Sequence, residues 1–71
     1  MKHHLAENAS HTRRAIVQGR TVRLFRLTQP SKHDKRAIEW MHFNYKSFTD
    51  ACAAAVAYAE RNRVMWPGDF A

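Results

Sequence analysis

One cysteine, two glycines and two prolines are all that this 71-residue chain holds of those types, and each shortage excludes something. Cys52 alone permits no internal disulfide and no cysteine-rich zinc site, which suits a reducing compartment. Gly19 and Gly68 do not make a glycine-rich phosphate loop. No apolar run approaches the roughly 20 residues that span a bilayer, and the opening MKHHLAEN lacks the hydrophobic centre of a secretory signal. The expectation is a soluble chain of the cytoplasm with no membrane partner. Acid is scarce too: six Asp and Glu stand against twelve Lys and Arg, a formal charge of +6. Those six are scattered, with no pairing that spacing makes into an acid and base couple. Catalysis is therefore not expected, nor a cofactor or a small-molecule substrate.

A chain of this length forms one domain at most and buries only about 60% of its unfolded surface. Its core must be thin, and docking on a larger partner adds stability by mass action. The stretch that organises it is SFTDACAAAVAYAERNR, from Ser47 to Arg63. Ser47 three residues before Asp50 is a capping-box pattern that starts a helix. Five alanines between Ala51 and Ala57 favour its continuation, and Arg61 and Arg63 place positive charge where the last carbonyls point. Pro67 disfavours helical geometry in Trp66, so the helix is expected to stop near Val64. Phe48, Cys52, Ala55 and Ala59 share one face, with Val56 at its edge. Such small residues let the helix approach a flat partner closely, and that partner is expected to be a sheet. Cys52 on the buried face behaves as a small hydrophobe and not as a nucleophile.

Before the helix, Met1 to Arg14 is polar and without a period, and reads as a flexible basic arm, residues 1–14. His3, His4 and His11 lie in it with no fourth ligand held in place, so no metal site is expected. Ala15 to Thr28 is β-branched and aromatic and favours strand; Gly19 is either a tight turn between two strands or a bulge in one. Val22 and Leu24 share a face with Arg20 and Arg26, while Phe25 and Leu27 share the other with Arg23. QPSKHDK, residues 29–35, reads as a loop, and Arg36 to Tyr45 as strand, with Ile38, Trp40 and half-buried His42 on one side and Met41, Phe43 and Tyr45 on the other. In the tail VMWPGDFA, either Trp66 folds back over the core, or Trp66 and Phe70 are exposed anchors for another protein. The fold class is α+β: an antiparallel hairpin or three-stranded sheet with one carboxy-terminal helix packed on one face, residues 15–71 making the single ββ(β)α domain.

The charge is unevenly placed. Residues 1–36 carry nine Lys or Arg against Glu7 and Asp34, while residues 37–71 carry three against four acids. The candidate contacts to a polyanion or an acidic protein surface are therefore Arg13, Arg14, Arg20, Arg23, Arg26, Lys32, Lys35 and Arg36. The paired Arg13 and Arg14 are suited to gripping phosphate or carboxylate.

Two resemblances bear on the partner. The step YKSF into an acidic-capped helix, over roughly residues 20–63, resembles the arm-type DNA-binding domains of phage integrases, an excisionase-like role that implies strand arginines in the major groove and binding weakened steeply by salt. Over its whole length, through the opening MKHHLAENASHTRR, the strand TVRLFRLT, the alanine-rich helix and the WPGDF tail, the chain looks like the small basic regulators that lytic phages direct at bacterial RNA polymerase. That second resemblance implies a cytoplasmic protein of a bacterial host that binds the largest polymerase subunit, inhibits initiation and promotes antitermination, with possible contact to RNA or DNA. It assigns no role to individual residues. If residues 1–14 are a free arm, Arg13→Ala with Arg14→Ala weakens activity and leaves the thermal midpoint nearly unchanged; a large fall in midpoint means that this segment is structural.

Overall fold

The computed structural model describes residues 2–31 and 34–70, and of these the backbone path alone at 29–31 and 34–35. Four strands follow one another, β1 (His3–Glu7), β2 (Arg13–Gln18), β3 (Thr21–Ser31) and β4 (Asp34–Asn44), then a helix, α1 (Phe48–Arg61), and a 3₁₀ turn at Pro67–Phe70. The strands pair antiparallel in sequence order, β1-β2-β3-β4, and α1 lies across one face of the sheet, chiefly over β2. This is the expected α+β arrangement, with four strands in place of two or three.

The extra strand comes from the segment expected to be an arm. His3 to Glu7 pairs with β2 in unbroken register, from His3 opposite Gln18 to Glu7 opposite Arg14. HHLAE has little strand propensity of its own, so pairing and the burial of Ala6 decide its state. The return to β2 is held by Asn8, a buried side chain whose carbonyl oxygen accepts from the backbone N–H groups of Thr12 and Arg13, both at 2.8 Å. Its amide nitrogen donates to the hydroxyls of Thr12 and Ser10, and His11 takes a left-handed conformation, φ 56°. One asparagine thus satisfies a five-residue turn from inside.

Gly19 resolves as a turn. Gln18 faces Thr21 across a two-residue loop, and Gly19 has φ 62° while Arg20 stays on the negative side, the pattern of a type II′ hairpin whose first position glycine occupies without steric cost. Strand β3 then keeps its expected alternation. Val22 and Leu24 enter the core, while Phe25, on the opposite face, is shielded by the Arg23 guanidinium at 5.4 Å.

Strand β4 departs from simple alternation. Leu24 faces Met41, but Phe25 faces Glu39, so Trp40 is an extra residue in a bulge. Ile38, Trp40 and His42 therefore do not share a side: Trp40 reaches the helix, and His42, opposite Arg23, is exposed and not half-buried. The strands also run further than the expected 29–35 loop allows, continuing to Ser31 and resuming at Asp34 with a second register irregularity after Thr28. Pro30, which has no N–H to donate, sits at that irregularity.

Helix α1 starts as its sequence dictates, Ser47 accepting from the Asp50 N–H at 3.1 Å. It ends earlier than expected. Asn62, not the distant Pro67, is the terminator, in a left-handed conformation at φ 52° whose N–H bonds back to Tyr58. The buried face is turned slightly from the expected one: Ala51, Ala54, Ala55, Tyr58 and Ala59 are buried, while Phe48, Cys52 and Val56 are partly so. Tyr58 is the largest fully buried side chain. Its hydroxyl donates to the Phe25 carbonyl at 3.1 Å and accepts from Trp40 Nε1 at 2.9 Å. The tail folds back: Trp66 meets Phe43 edge-on at 4.8 Å and Phe70 meets Tyr45 at 5.7 Å. Tyr45 donates its hydroxyl to the Met65 carbonyl, and burial beside Asp69 pushes its phenol up to about 12.

Tyr58→Phe strands both the indole N–H and the Phe25 carbonyl, so it is expected to lower unfolding free energy by about 1–3 kcal/mol. In urea denaturation, Tyr58→Phe and Trp40→Phe should be strongly non-additive, because they remove the same bond.

Candidate functional site

The eight basic positions do not act as one surface. Arg13, at the start of β2, donates Nε to the Tyr58 carbonyl and a terminal nitrogen to the Ala59 carbonyl, each at 3.0 Å. It neutralises the negative end of α1 and satisfies carbonyls that the last turn leaves open. Arg14, on the other face, donates to Glu7 at 2.9 Å. Arg23 forms a two-bond fork with Glu39, both contacts at 2.9 Å. These three guanidiniums are engaged inside the molecule, which overturns the expectation of a free Arg13 and Arg14 pair on a mobile arm. Arg20 is exposed in the β2–β3 turn, and Arg36 stands opposite Thr28. Lys32 and the side chain of Lys35 lie outside the described residues.

Arg26 differs from the rest. Its guanidinium lies over the Trp40 ring, 5.4 Å from the centroid, and its strand partner across the β2–β3 ladder is Arg13. The two arginines open onto a cleft of about 250 Å³ where β3 passes the end of α1, bounded further by Thr12, Thr28, Tyr58 and Asn62. Among the described residues no carboxylate lines it. The sequence singled out both arginines but not their meeting, although the turn that sets Gln18 against Thr21 also sets Arg13 against Arg26. Tyr58, Asn62 and the bulged Trp40 left no comparable signal, since each depends on where α1 ends.

Apolar exposure is scattered around this basic body. Leu5 is 57% exposed, Ile38 53%, Trp40 37% and Trp66 53%. Trp66 keeps one side open, whereas Phe70 is packed against the core, so of the two candidate anchors only the tryptophan is presented. Cys52 is partly buried, and burial pushes its thiol up, away from thiolate chemistry. Among the described residues no three His, Cys, Asp or Glu are placed to hold a metal ion, and no helix is long and apolar enough to cross a membrane.

Arg13→Ala should lower unfolding free energy by about 1–2 kcal/mol, since two carbonyls at the end of α1 lose a charged donor; Arg14→Ala, at a partly exposed pair, should cost less than about 1 kcal/mol. Glu7, bonded first by His11 and then by Arg14, has its carboxyl held below the ordinary 4.5. A depressed folded value stabilises above the unfolded one and is lost as pH falls through the folded one. The thermal midpoint should accordingly drop on acidification below 4.5, and Glu7→Gln should flatten that drop.

Compared with family models, curated proteins and solved structures, the chain matches none, so what the site binds is a question for its chemistry.

Proposed function

We propose that this chain is a non-enzymatic, phage-type transcription regulator that works in the bacterial cytoplasm by binding host RNA polymerase, through the largest subunit, to inhibit initiation and promote antitermination. The observation that carries the reading is a small basic scaffold whose sheet is covered by α1 on one face only. The edges of β1 and β4 bear the exposed Leu5, Ile38 and Trp40, and Trp66 adds a fourth apolar contact. A rigid module with apolar groups set in a positive surface is built for docking on a larger, acidic protein. The resemblance in sequence character selects polymerase among such partners.

The integrase-like alternative draws less support. Groove reading by strand arginines needs them on one face, but Arg23 is forked to Glu39 on the outer face and Arg26 belongs to the helix side.

Purified chain immobilised as bait should recover RNA polymerase from a bacterial lysate after nuclease treatment, and should reduce promoter-dependent transcripts while raising read-through at a terminator in a reconstituted reaction. Loss of every partner on nuclease treatment would instead select the DNA-binding alternative.

A further inference from the structure

Arg13 and Arg26 are direct cross-strand neighbours. Like charges so placed repel and destabilise a sheet, and nothing in the packing of the core requires the second one. Arg13 has its structural task at the carbonyls of Tyr58 and Ala59. Arg26 has none of that kind: it is exposed, and its described contact is the face of Trp40. The cleft between them holds two guanidiniums, the hydroxyls of Thr12 and Thr28 and, among the described residues, no carboxylate. The negative end of α1, which by itself would repel an anion, is already covered by Arg13.

From this geometry we infer that the cleft is a binding site for single-stranded nucleic acid. A backbone phosphate sits between Arg13 and Arg26, and an adjacent base stacks on the Arg26–Trp40 platform beside Ile38. Guanidinium forks match phosphate oxygens, and aromatic or guanidinium planes that are partly exposed accept an unpaired base of any identity. Duplex is disfavoured, because its bases are not available to Trp40, and on the opposite face Arg14 and Arg23 are tied to Glu7 and Glu39. The site is separate from the polymerase reading and stands or falls without it.

The test uses the full chain with fluorescently labelled oligonucleotides of about 15 residues, oligouridine and oligodeoxyuridine, and a mixed-sequence duplex of the same length. Binding measured by anisotropy should be tighter for both single strands than for the duplex, and the preference between the two tells whether a 2′-hydroxyl is read. Arg26→Ala should weaken single-strand binding about tenfold and reduce the slope of log affinity against log salt by about 0.7. Arg20→Ala, in the β2–β3 turn away from the cleft, should change affinity less than about twofold. In Trp66→Phe protein Trp40 is the sole tryptophan, and its emission should be quenched by the bound strand. Equal losses from Arg20→Ala and Arg26→Ala, tighter binding of duplex, or unquenched Trp40 emission at saturation would each overturn the assignment. Polymerase capture by Arg26→Glu protein after nuclease treatment, undiminished while oligonucleotide binding is lost, separates this site from the docking surface.

Discussion

The buried hydroxyl of Tyr58 is the constraint on which the arrangement of this molecule depends. An alanine face lets α1 approach the sheet closely, but alanines are alike, and a run of them defines no unique position along or around the helix. Tyr58 supplies that position. Its oxygen must find partners once it leaves water, and it has two, the Phe25 carbonyl on β3 and the Trp40 indole on β4. Both lie at the bulge, the first of the two irregularities in the β3–β4 ladder. With Tyr58 seated there, the last turn of α1 arrives above the start of β2, and its carbonyls come within reach of Arg13. Helix placement, helix capping and the walls of the cleft are thus consequences of one polar anchor in an otherwise apolar contact.

The parts of the fold that could be read from sequence are those with local causes. Ser47 and Asp50 cap a helix through atoms three residues apart; Val22 and Leu24 alternate with Arg23 because a strand has a period of two. The parts that could not be read have distant causes. Strand β1 exists because β2 offers it an edge, and nothing in HHLAE announces that. Trp40 faces the helix because a bulge reverses the alternation at that residue, and the need for the bulge comes from Tyr58, eighteen positions later. Asn62 ends the helix ahead of Pro67 because its backbone tolerates a left-handed conformation and Arg13 meets the exposed carbonyls from another element. Of the candidate site, each arginine was legible as a charge; which were engaged was not, since their carbonyl and carboxylate partners lie on neighbouring strands or on α1.

That difference changes the meaning of the charge. A chain of +6 with nine cations in its first half suggests one cationic instrument attached to a neutral scaffold. Four of them instead divide by face. On the outer face Arg14 and Arg23 are matched by Glu7 and Glu39, which makes that side a nearly balanced surface around Phe25. On the helix side Arg13 is matched only by carbonyl dipoles, and Arg26 by an aromatic quadrupole, so both keep their full formal charge. A field that is strong on one side and weak on the other orients a charged partner before contact, which a uniform coat of the same net charge does not do.

The same asymmetry separates two kinds of contact in space. Leu5 stands beside Ile16 on the outer face, at the β1 edge of the sheet, where apolar exposure is set among paired charges. The cleft opens on the other side, past the end of α1, between Arg13 and Arg26, the latter lying over Trp40. Leu5 and the cleft thus lie on opposite faces, while Ile38 and Trp40, on the helix side, border the cleft. That placement arises from a helix that covers only one face of a four-stranded sheet and stops before the β3–β4 ribbon does.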